Sequence, residues 1–559
     1  MTHEQTLARN AAIVGGATLV SRVLGFARDC AVAAVLGAGP LADAFFIALR
    51  LPNLMRRLFG EGSLSLSLVS EFSHVRQASG TDRAYAMVRA CLAWLVLILG
   101  AVSLAAHAGA ASITAVLAPG FLAAPELFAR TADLVRLCFP YAPLICVAAV
   151  FSGILQAQGH FLVPALVPCV LNVALIAGAF TALAADLPVP ETLGVCLLAA
   201  GVLQVAMQLP ALRRRGFSPR GTCSLSDEGA RRVGSRMLPA VFGAAVYQVS
   251  IVVTTMLASL LPEGSISHLY YADRLVQFPL GVFGLAVGTA ALPALASLAA
   301  KGDHAAFRST LATSMRLTLF ISLPAAAGLA GMAEPIVNVL FGRGAFGPAD
   351  VHGTVLALWG YAAGLPAFAA ARPLLAAFHA RRDARTPVAA AVGGLFVTTA
   401  SGLALMQPMG HTGLAVAVTL GSWANVLLLH HLLARREQAL FAAADARADS
   451  ALANPAHTPP APVPFRDNVA TAPSPDNAAT APFPDNAPPT YRSMEYRLPC
   501  LYAAMSAGVF VLSRACVLLA GSWALAAIPI IIACYMVTAL WFHSPDIFFL
   551  RQALRGRNG

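Results

Sequence analysis

Charged residues are scarce in this sequence, at 11% of its 559 residues. Soluble domains carry about 25%. Lysine is almost absent, because Lys301 is the only one and the other basic residues are arginines. A water-facing surface of this size needs more charge, so the deficit excludes an ordinary cytosolic enzyme, a secreted disulfide scaffold and a largely disordered protein. Hydrophobic residues make up 58% of the chain, and the solvent that suits them is lipid.

Catalytic and cofactor motifs are missing as well. No GxxxxGK(S/T) phosphate loop occurs, which argues against direct use of ATP, and neither GxSxG nor HExxH is present. The ten cysteines are scattered without a CxxC pair or a Cys/His cluster, and the histidines mostly stand alone. We therefore predict no enzymatic activity, no catalytic residues, no cofactor and no metal site.

Apolar stretches long enough to cross a membrane recur along the chain. A span needs about 20 mainly apolar residues. The sequence therefore predicts an all-α polytopic membrane protein with about fourteen transmembrane helices. The candidate spans lie near residues 10–36, 41–72, 86–112, 130–157, 162–185, 191–212, 233–261, 266–299, 308–333, 352–379, 387–407, 411–434, 498–519 and 522–543.

The arginines are concentrated in alternate loops between these spans. One set of loops holds the basic clusters, and the opposite set holds almost none, with Arg343 as the exception. Cytoplasmic loops carry the excess of basic residues, so we expect a multi-pass protein of the bacterial inner membrane with both termini in the cytoplasm. This pattern explains the net charge of +11 without a nucleic-acid partner. The basic loops lie at residues 76–89, 213–232, 301–308, 381–385 and 435–436.

Residues 438–497 differ from the rest of the chain in composition. They are rich in Ala, Pro, Asp and Asn, and an Asp-Asn pair recurs every nine residues at Asp467, Asp476 and Asp485. Such a segment buries too little apolar surface to offset its ordering entropy. We predict a disordered cytoplasmic insert, as a tolerated spacer or a binding segment.

Ionisable residues inside the first predicted span are the first indication of function. Ser21 and Arg28 are seven residues apart and therefore share a helix face, as do Arg22 and Asp29. Charged groups are costly at membrane depth and usually face a polar interior or a cavity.

The second span carries more charge. Asp43, Arg50 and Arg57 recur every seven residues and form one stripe, and Glu61 follows Arg57 at the spacing of a helical ion pair. Arg56 points away from that stripe. For these three arginines, headgroup contact or structural pairing is as good a reading as a cavity.

The eighth span contains Asp273 and Arg274 beside each other, with Gln277 one turn later. Arg28 and Arg274 lie deeper in their spans than the other arginines, and each stands beside an aspartate, so we expect both to line a functional cavity. The acids are expected to hold the arginines. A guanidinium stays charged and grips phosphate through paired hydrogen bonds, so a phosphate or diphosphate headgroup is the expected ligand.

The motifs together resemble the MurJ (MviN) lipid II flippase family. The resemblance rests on the first-helix run Ser21 to Asp29, on Asp43-Ala-Phe-Phe, on Leu51-Pro-Asn-Leu before Arg56-Arg57, and on Tyr270-Tyr-Ala-Asp-Arg-Leu. It covers residues 8–435. It implies two six-helix bundles around a central cavity, with two further helices for the polyprenyl tail. The implied units are 1–212 (first bundle), 213–232 (linker), 233–437 (second bundle), 438–497 (insert) and 498–559 (two helices and a basic tail).

The resemblance also implies a function and its residues. The chain would move lipid II, the polyprenyl-diphosphate-linked peptidoglycan precursor, to the outer leaflet by alternating access, as a monomer in contact with membrane lipid. Its substrate-binding residues would be Ser21, Arg22, Arg28, Arg56 and Arg274. Its structural or gating acids would be the four carboxylates Asp29, Asp43, Glu61 and Asp273. Some family members resemble sodium-coupled carriers, but no acid occurs within residues 236–261, 387–407 or 411–434, so we predict no sodium site.

Other functions remain open at this point. A flippase for another polyprenyl-linked glycan would share the fold, and an arginine-lined cavity speaks against a drug or cation antiporter. A non-transporting scaffold would recruit cell-wall synthesis enzymes, which are a further candidate class of partner, through the 438–497 insert. An enzyme acting on lipid phosphates fits least, because no nucleophile–base pair is apparent.

Overall fold

The structure is a computed structural model that describes the backbone of residues 3–57, 63–281, 285–453 and 490–541. It describes the side chains of these segments except those of residues 3–12, 63–66, 238–245, 247, 285–290, 437–453, 490–501, 519–523 and 539–541. Throughout these described segments the regular structure is helical, without a β-strand. Lipid offers no hydrogen bonds to the backbone, and a helix satisfies its own, so an apolar chain of this kind folds as helices.

The described residues of the first half of the chain form ten α-helices and one short 3-10 helix. Proline stands at the first or second position of several of them, where its missing N–H costs nothing. The helices are α1 (His3–Leu36), α2 (Pro40–Met55), α3 (Ser63–Ser79), α4 (Thr81–Ala108), α5 (Ala110–Leu117), the 3-10 helix Pro119–Ala123, α6 (Pro125–Cys138), α7 (Tyr141–Ala157), α8 (Leu162–Ala184), α9 (Val189–Ala206) and α10 (Leu209–Arg213).

The second half contributes the remaining helices. Within α18 the chain reverses at Gly410, whose φ of 58° and ψ of −139° are not helical. The helices are α11 (Glu228–Ser259), α12 (Ser265–Pro279), α13 (Leu285–Lys301), α14 (His304–Gly331), α15 (Ala333–Phe341), α16 (Pro348–Ala362), α17 (Leu365–Ala380), α18 (Arg385–Ala453), α19 (Thr490–Ala520), a 3-10 helix Gly521–Ala527 and α20 (Ile528–Trp541).

These helices confirm the all-α polytopic fold predicted from the sequence. Among the described residues, six helices are long and apolar enough to cross a membrane, and the pair α16 and α17, bent by 41°, makes a seventh. Each of the other predicted spans also contains a helix. Helix α18 extends to Ala453 and α19 begins at Thr490, so both enter the predicted 438–497 insert. The rest of that insert lies outside the described residues.

Packing groups the helices into two sets and an appendage. In the first set α1 packs along α8, and α7 packs against α3, α4 and α9. In the second set α17 packs against α13, α14 and α18, and α16 packs against α12 and α18. Helix α19 packs on α14, where Phe320, Tyr502 and Tyr535 form an aromatic contact. We expect the two sets to behave as the predicted bundles.

The two sets meet through α11 and α12, and the two ends of the molecule differ. The arginine-poor end comprises the turns at residues 37–39, 262–264 and 342–347, and the arginine-rich end comprises those at 213–227, 302–303 and 381–384. At the arginine-poor end the Ala345 N–H donates to the Ala34 carbonyl at 2.7 Å, and the Tyr271 hydroxyl donates to the Gly37 carbonyl at 3.2 Å. These bonds join α1 and the turn after it to the second set.

At the arginine-rich end the first set instead holds the start of α11. The buried Glu71 accepts from Arg232 at 2.7 Å and from Arg236 at 3.0 Å. Arg83 pairs with Asp227, which also caps α11 by accepting from the Ala230 N–H at 3.0 Å. Helix α11 therefore belongs to the second set in sequence but is tied to the first set at this end.

A close approach of the two arms of α18 depends on glycine. A Cβ on Gly421 would lie 1.8 Å from the Thr398 hydroxyl oxygen and 2.6 Å from the Gly394 carbonyl oxygen. We expect Gly421→Ala to lower the stability of the protein by about 1–3 kcal/mol, since backbone must move to make room. Thermal unfolding in detergent measures this as a lower Tm. The control is Gly328→Ala, because a Cβ there has no atom within 4 Å. Equal Tm values for the two variants would contradict the prediction.

Candidate functional site

Arg28 is held from two sides in the last third of α1. Its Nε and Nη2 donate to Oδ1 of Asp29, at 3.0 and 2.6 Å, and its Nη1 donates to Oδ1 of Asn172 on α8, at 3.1 Å. Asn172 in turn donates from Nδ2 to the Ser21 carbonyl at 3.0 Å. The face that Ser21 and Arg28 were predicted to share therefore packs on α8.

Arg274 approaches the same aspartate from α12. Its Nε lies 3.9 Å from Oδ2 of Asp29 and has no hydrogen-bond partner although it is buried. The guanidinium carbon lies 4.6 Å from the centre of the Tyr270 ring, in cation–π contact. Tyr270 stacks on Phe46 of α2, with ring centres 3.8 Å apart. Asp29 thus stands between one arginine from each half of the chain.

Both arginines lie deep in the membrane-spanning part and are still accessible. Arg28 precedes the end of α1 by eight residues and Arg274 follows the start of α12 by nine, or about 12 and 14 Å from the arginine-poor end. A hydrocarbon core is about 30 Å thick, so this depth is near the middle of a membrane whose surface lies at the ends of these helices. The side chains of Arg28 and Arg274 are nevertheless 17% and 26% exposed. A charged group at this depth that is not fully enclosed indicates a polar cavity.

Further charges extend the cluster towards α2. Asp273 interacts electrostatically with Arg274, Arg50 and Arg57, and it accepts a hydrogen bond from Gln277. The Nε of Arg50 is buried without a hydrogen-bond partner. The stripe predicted along α2 therefore points towards α12.

Arg22 and Arg56 lie on the side of the cluster towards the arginine-rich end. Arg22 packs against Gly281, where a Cβ would fall 2.1 Å from Nη1 of the arginine. Arg56 interacts electrostatically with Arg28 and Arg274. Wide, π-helical turns occur at residues 56–57 and 280–281, and such turns are frequent at functional sites. The structure thus brings Arg22, Arg28, Arg56 and Arg274 into one region.

Asp43 lies elsewhere, at the arginine-poor end. It is 2% exposed and accepts from the Gly264 N–H at 2.8 Å, from the Ser267 N–H at 2.7 Å and from the Ser267 hydroxyl. These are the first free N–H groups of α12, so Asp43 caps that helix from a different part of the chain. Glu61 lies outside the described residues.

Two contributors to the cluster were not predicted from the sequence. Asn172 is a strongly polar side chain within the apolar α8, and that isolation is a signal that could have identified it. Tyr270 stood within a recognised motif, but nothing in one sequence shows that its ring packs between Phe46 and Arg274.

The arrangement favours an anionic ligand. Arginines outnumber the two carboxylates, Asp29 and Asp273, that the described residues place among them, and the resulting net positive charge attracts an anion. Across the described residues no group of three or more His, Cys, Asp or Glu side chains has the geometry to hold a metal ion.

A bundle of membrane-spanning helices with a cationic site at mid-depth is the architecture of a polytopic membrane transporter. Solved structures share this fold. A structure titled lipid II flippase MurJ, inward closed conformation, matches with a TM-score of 0.72 at 21% identity, over 95% of this chain and 98% of that one. An inward-facing multidrug resistance MATE family transporter of the MOP superfamily matches with a TM-score of 0.64 at 13% identity, over 77% and 98%. At these identities the likeness shows the fold.

The sequence then identifies the family. The family model described as lipid II flippase MurJ matches residues 32–451. The lipid II flippase MurJ of Burkholderia cenocepacia is 35% identical over 431 residues, which cover 76% of this chain and 83% of that one. The probable lipid II flippase MurJ of Rhizobium meliloti is 36% identical over 437 residues, or 77% and 81%. The chain belongs to the MurJ family of lipid II flippases, which confirms the resemblance seen in its motifs.

Proposed function

We propose that this chain is a lipid II flippase, which carries the polyprenyl-diphosphate-linked peptidoglycan precursor from the inner to the outer leaflet. The observation that supports this most is the pair of accessible arginines, Arg28 and Arg274, that share Asp29 at mid-depth. A diphosphate offers several oxygens and two or more negative charges, which suit two guanidinium groups in a site of low dielectric. We propose Arg22, Arg56 and Ser21 as further substrate-binding residues around this pair.

Alternating access is the mechanism that we propose. The bonds at the arginine-poor end hold that end closed, so the headgroup would enter from the arginine-rich side. Rocking of the two helix sets would then close the entrance and part the contacts at the opposite end. The polyprenyl tail would stay in lipid throughout, because exposing it to a polar cavity would cost about 0.8 kcal/mol per CH₂.

We also propose an orientation and a setting. The arginine-rich end would face the cytoplasm, with both termini there, in the bacterial inner membrane. The protein would act as a monomer and as a transporter rather than an enzyme. Asp29 and Asp273 would hold the arginines between transport events, and Asp43 would act in closing the arginine-poor end.

Depletion of this protein in living cells tests the proposal directly. The measurement is the lipid II exposed on the outer leaflet, compared with total lipid II, in cells that lack other flippases. We expect exposed lipid II to fall and total lipid II to rise, with rescue by the wild-type chain. Normal exposure after depletion would overturn the proposed function. Accumulation of a different polyprenyl-linked glycan would favour the alternative carrier.

Deleting residues 440–495 distinguishes the proposed flippase function from that of a non-transporting scaffold. The family model match ends at residue 451, so most of this segment lies outside it. We expect the deletion variant to retain most lipid II translocation, because α1, α2, α8 and α12, which carry the arginine cluster, are left intact. The measurement is rescue of growth and of outer-leaflet lipid II in the depleted cells. Loss of rescue at normal membrane abundance would instead support recruitment of cell-wall synthesis enzymes through this segment.

A further inference from the structure

Asn172 connects two helices of the first set through both ends of its side-chain amide. It is 5% exposed and accepts from Nη1 of Arg28 at 3.1 Å while donating to the Ser21 carbonyl at 3.0 Å. The reverse orientation of the amide would set N–H against N–H at Arg28 and oxygen against oxygen at Ser21. The two contacts therefore fix the amide in one orientation, and the amide fixes one terminal nitrogen of Arg28.

The hydrogen bonds of Arg28 leave a defined pair of donors. A guanidinium carries five N–H donors. Asp29 receives one from Nε and one from Nη2, and Asn172 receives one from Nη1. One N–H remains on each terminal nitrogen, so this pair of donors is left for the oxygens of a phosphate. The side chain is 17% exposed, so a ligand in the cavity can reach it.

We propose that Asn172 is a positioning residue that turns this pair of Arg28 donors towards the diphosphate of the substrate. The inference deepens the proposed function and rests on it. Asp29 alone holds one edge of the guanidinium and leaves it free to tilt about that edge. Asn172 supplies the second point of attachment from α8, so the site does not have to order the side chain when the ligand binds.

The test is a double-mutant cycle on the full-length protein in detergent, with undecaprenyl diphosphate as the probe. Asn172→Leu keeps a similar volume and removes both hydrogen bonds of the amide. We expect it to weaken binding by roughly 3- to 30-fold in the wild-type background. In an Arg28→Ala background we expect no further loss, because the group that Asn172 orients is gone. Asn425→Leu is the matched control, since it removes a partly buried asparagine of α18 that lies beside Gly394 in the other arm of that helix.

Each outcome of the cycle is informative. Wild-type affinity in Asn172→Leu, or the same loss with and without Arg28, would overturn the positioning role, since the residue would then act through packing alone. A wild-type protein that does not bind the probe would overturn the proposed function itself, before any variant is compared. If Asn172→Leu is not recovered as a monodisperse protein, Asn172→Ser replaces it with the same expectation, because its hydroxyl is too short to reach Arg28.

Discussion

Alanine at either Arg28 or Arg274 is expected to abolish lipid II translocation while the protein remains in the membrane. Each arginine can supply up to two charge-assisted hydrogen bonds to a diphosphate, at about 1.5–3 kcal/mol each. Losing about 3–6 kcal/mol of binding free energy weakens the affinity for the diphosphate by a factor of about 10² to 10⁴. The measurement is rescue of outer-leaflet lipid II in depleted cells, with membrane abundance of each variant determined in parallel.

Lysine substitutions and a surface arginine provide the controls for this prediction. Arg28→Lys and Arg274→Lys keep the charge but lose the paired donors, so we expect partial activity. Arg130→Ala removes an arginine of α6 that is 40% exposed and pairs with Glu191 in the first turn of α9, and we expect it to behave as wild type. Full rescue by both Arg28→Ala and Arg274→Ala would show that transport does not require the arginine cluster.

The sequence was sufficient for features that depend on neighbours along one helix. The seven-residue spacing of Ser21 and Arg28 placed both on a common face, and the adjacent Asp29 was recognised as a partner of Arg28. The helical class followed from the apolar runs, because lipid leaves the backbone no other donors and acceptors. These predictions needed only helix geometry and the cost of charge in a membrane.

Contacts between distant segments could not be obtained in the same way. Asp43 was predicted as a structural or gating acid, but its partners Gly264 and Ser267 lie more than 200 residues away along the chain. Asn172 and Arg28 are 144 residues apart along the chain, and their hydrogen bond becomes apparent only from the packing of α8 on α1. Which residues meet across two helices depends on packing of the whole bundle, and a single sequence does not specify it.

The two ends of the molecule are closed by different interactions, and this difference affects how each end would open during the transport cycle. The arginine-rich end joins the halves through exposed arginines on the buried Glu71, which salt and water can compete with. The arginine-poor end joins them through backbone groups and the buried Asp43, which water reaches poorly. The hydrogen bonds between a buried carboxylate and fixed donors are either formed or broken together. A gate that switches between two states requires interactions of this kind.

Asp43→Ala is therefore expected to open the arginine-poor end and to reduce lipid II translocation at least tenfold. The substitution leaves the N–H groups of Gly264 and Ser267 without their acceptor, at about 1–3 kcal/mol each, and removes the cap of α12. A shift of about 2–4 kcal/mol changes the balance of two states by roughly 30- to 1000-fold. A cysteine at Gly39, where an added Cβ meets no atom within 4 Å, reports the opening through labelling by a membrane-impermeant maleimide.

Asp43→Asn and a substitution at an exposed aspartate are the controls for this prediction. They distinguish gating by Asp43 from a general effect of removing an acidic side chain. Asparagine keeps one acceptor oxygen but turns an amide towards an N–H donor, so labelling and transport should fall between those of wild type and Asp43→Ala. Asp133→Ala removes an aspartate whose side chain is 71% exposed and pairs with Arg136, and it should change neither. The parent without the Gly39 cysteine gives the background from native thiols. If Asp43→Ala is labelled no faster than the parent carrying the Gly39 cysteine alone, Asp43 does not hold this end closed.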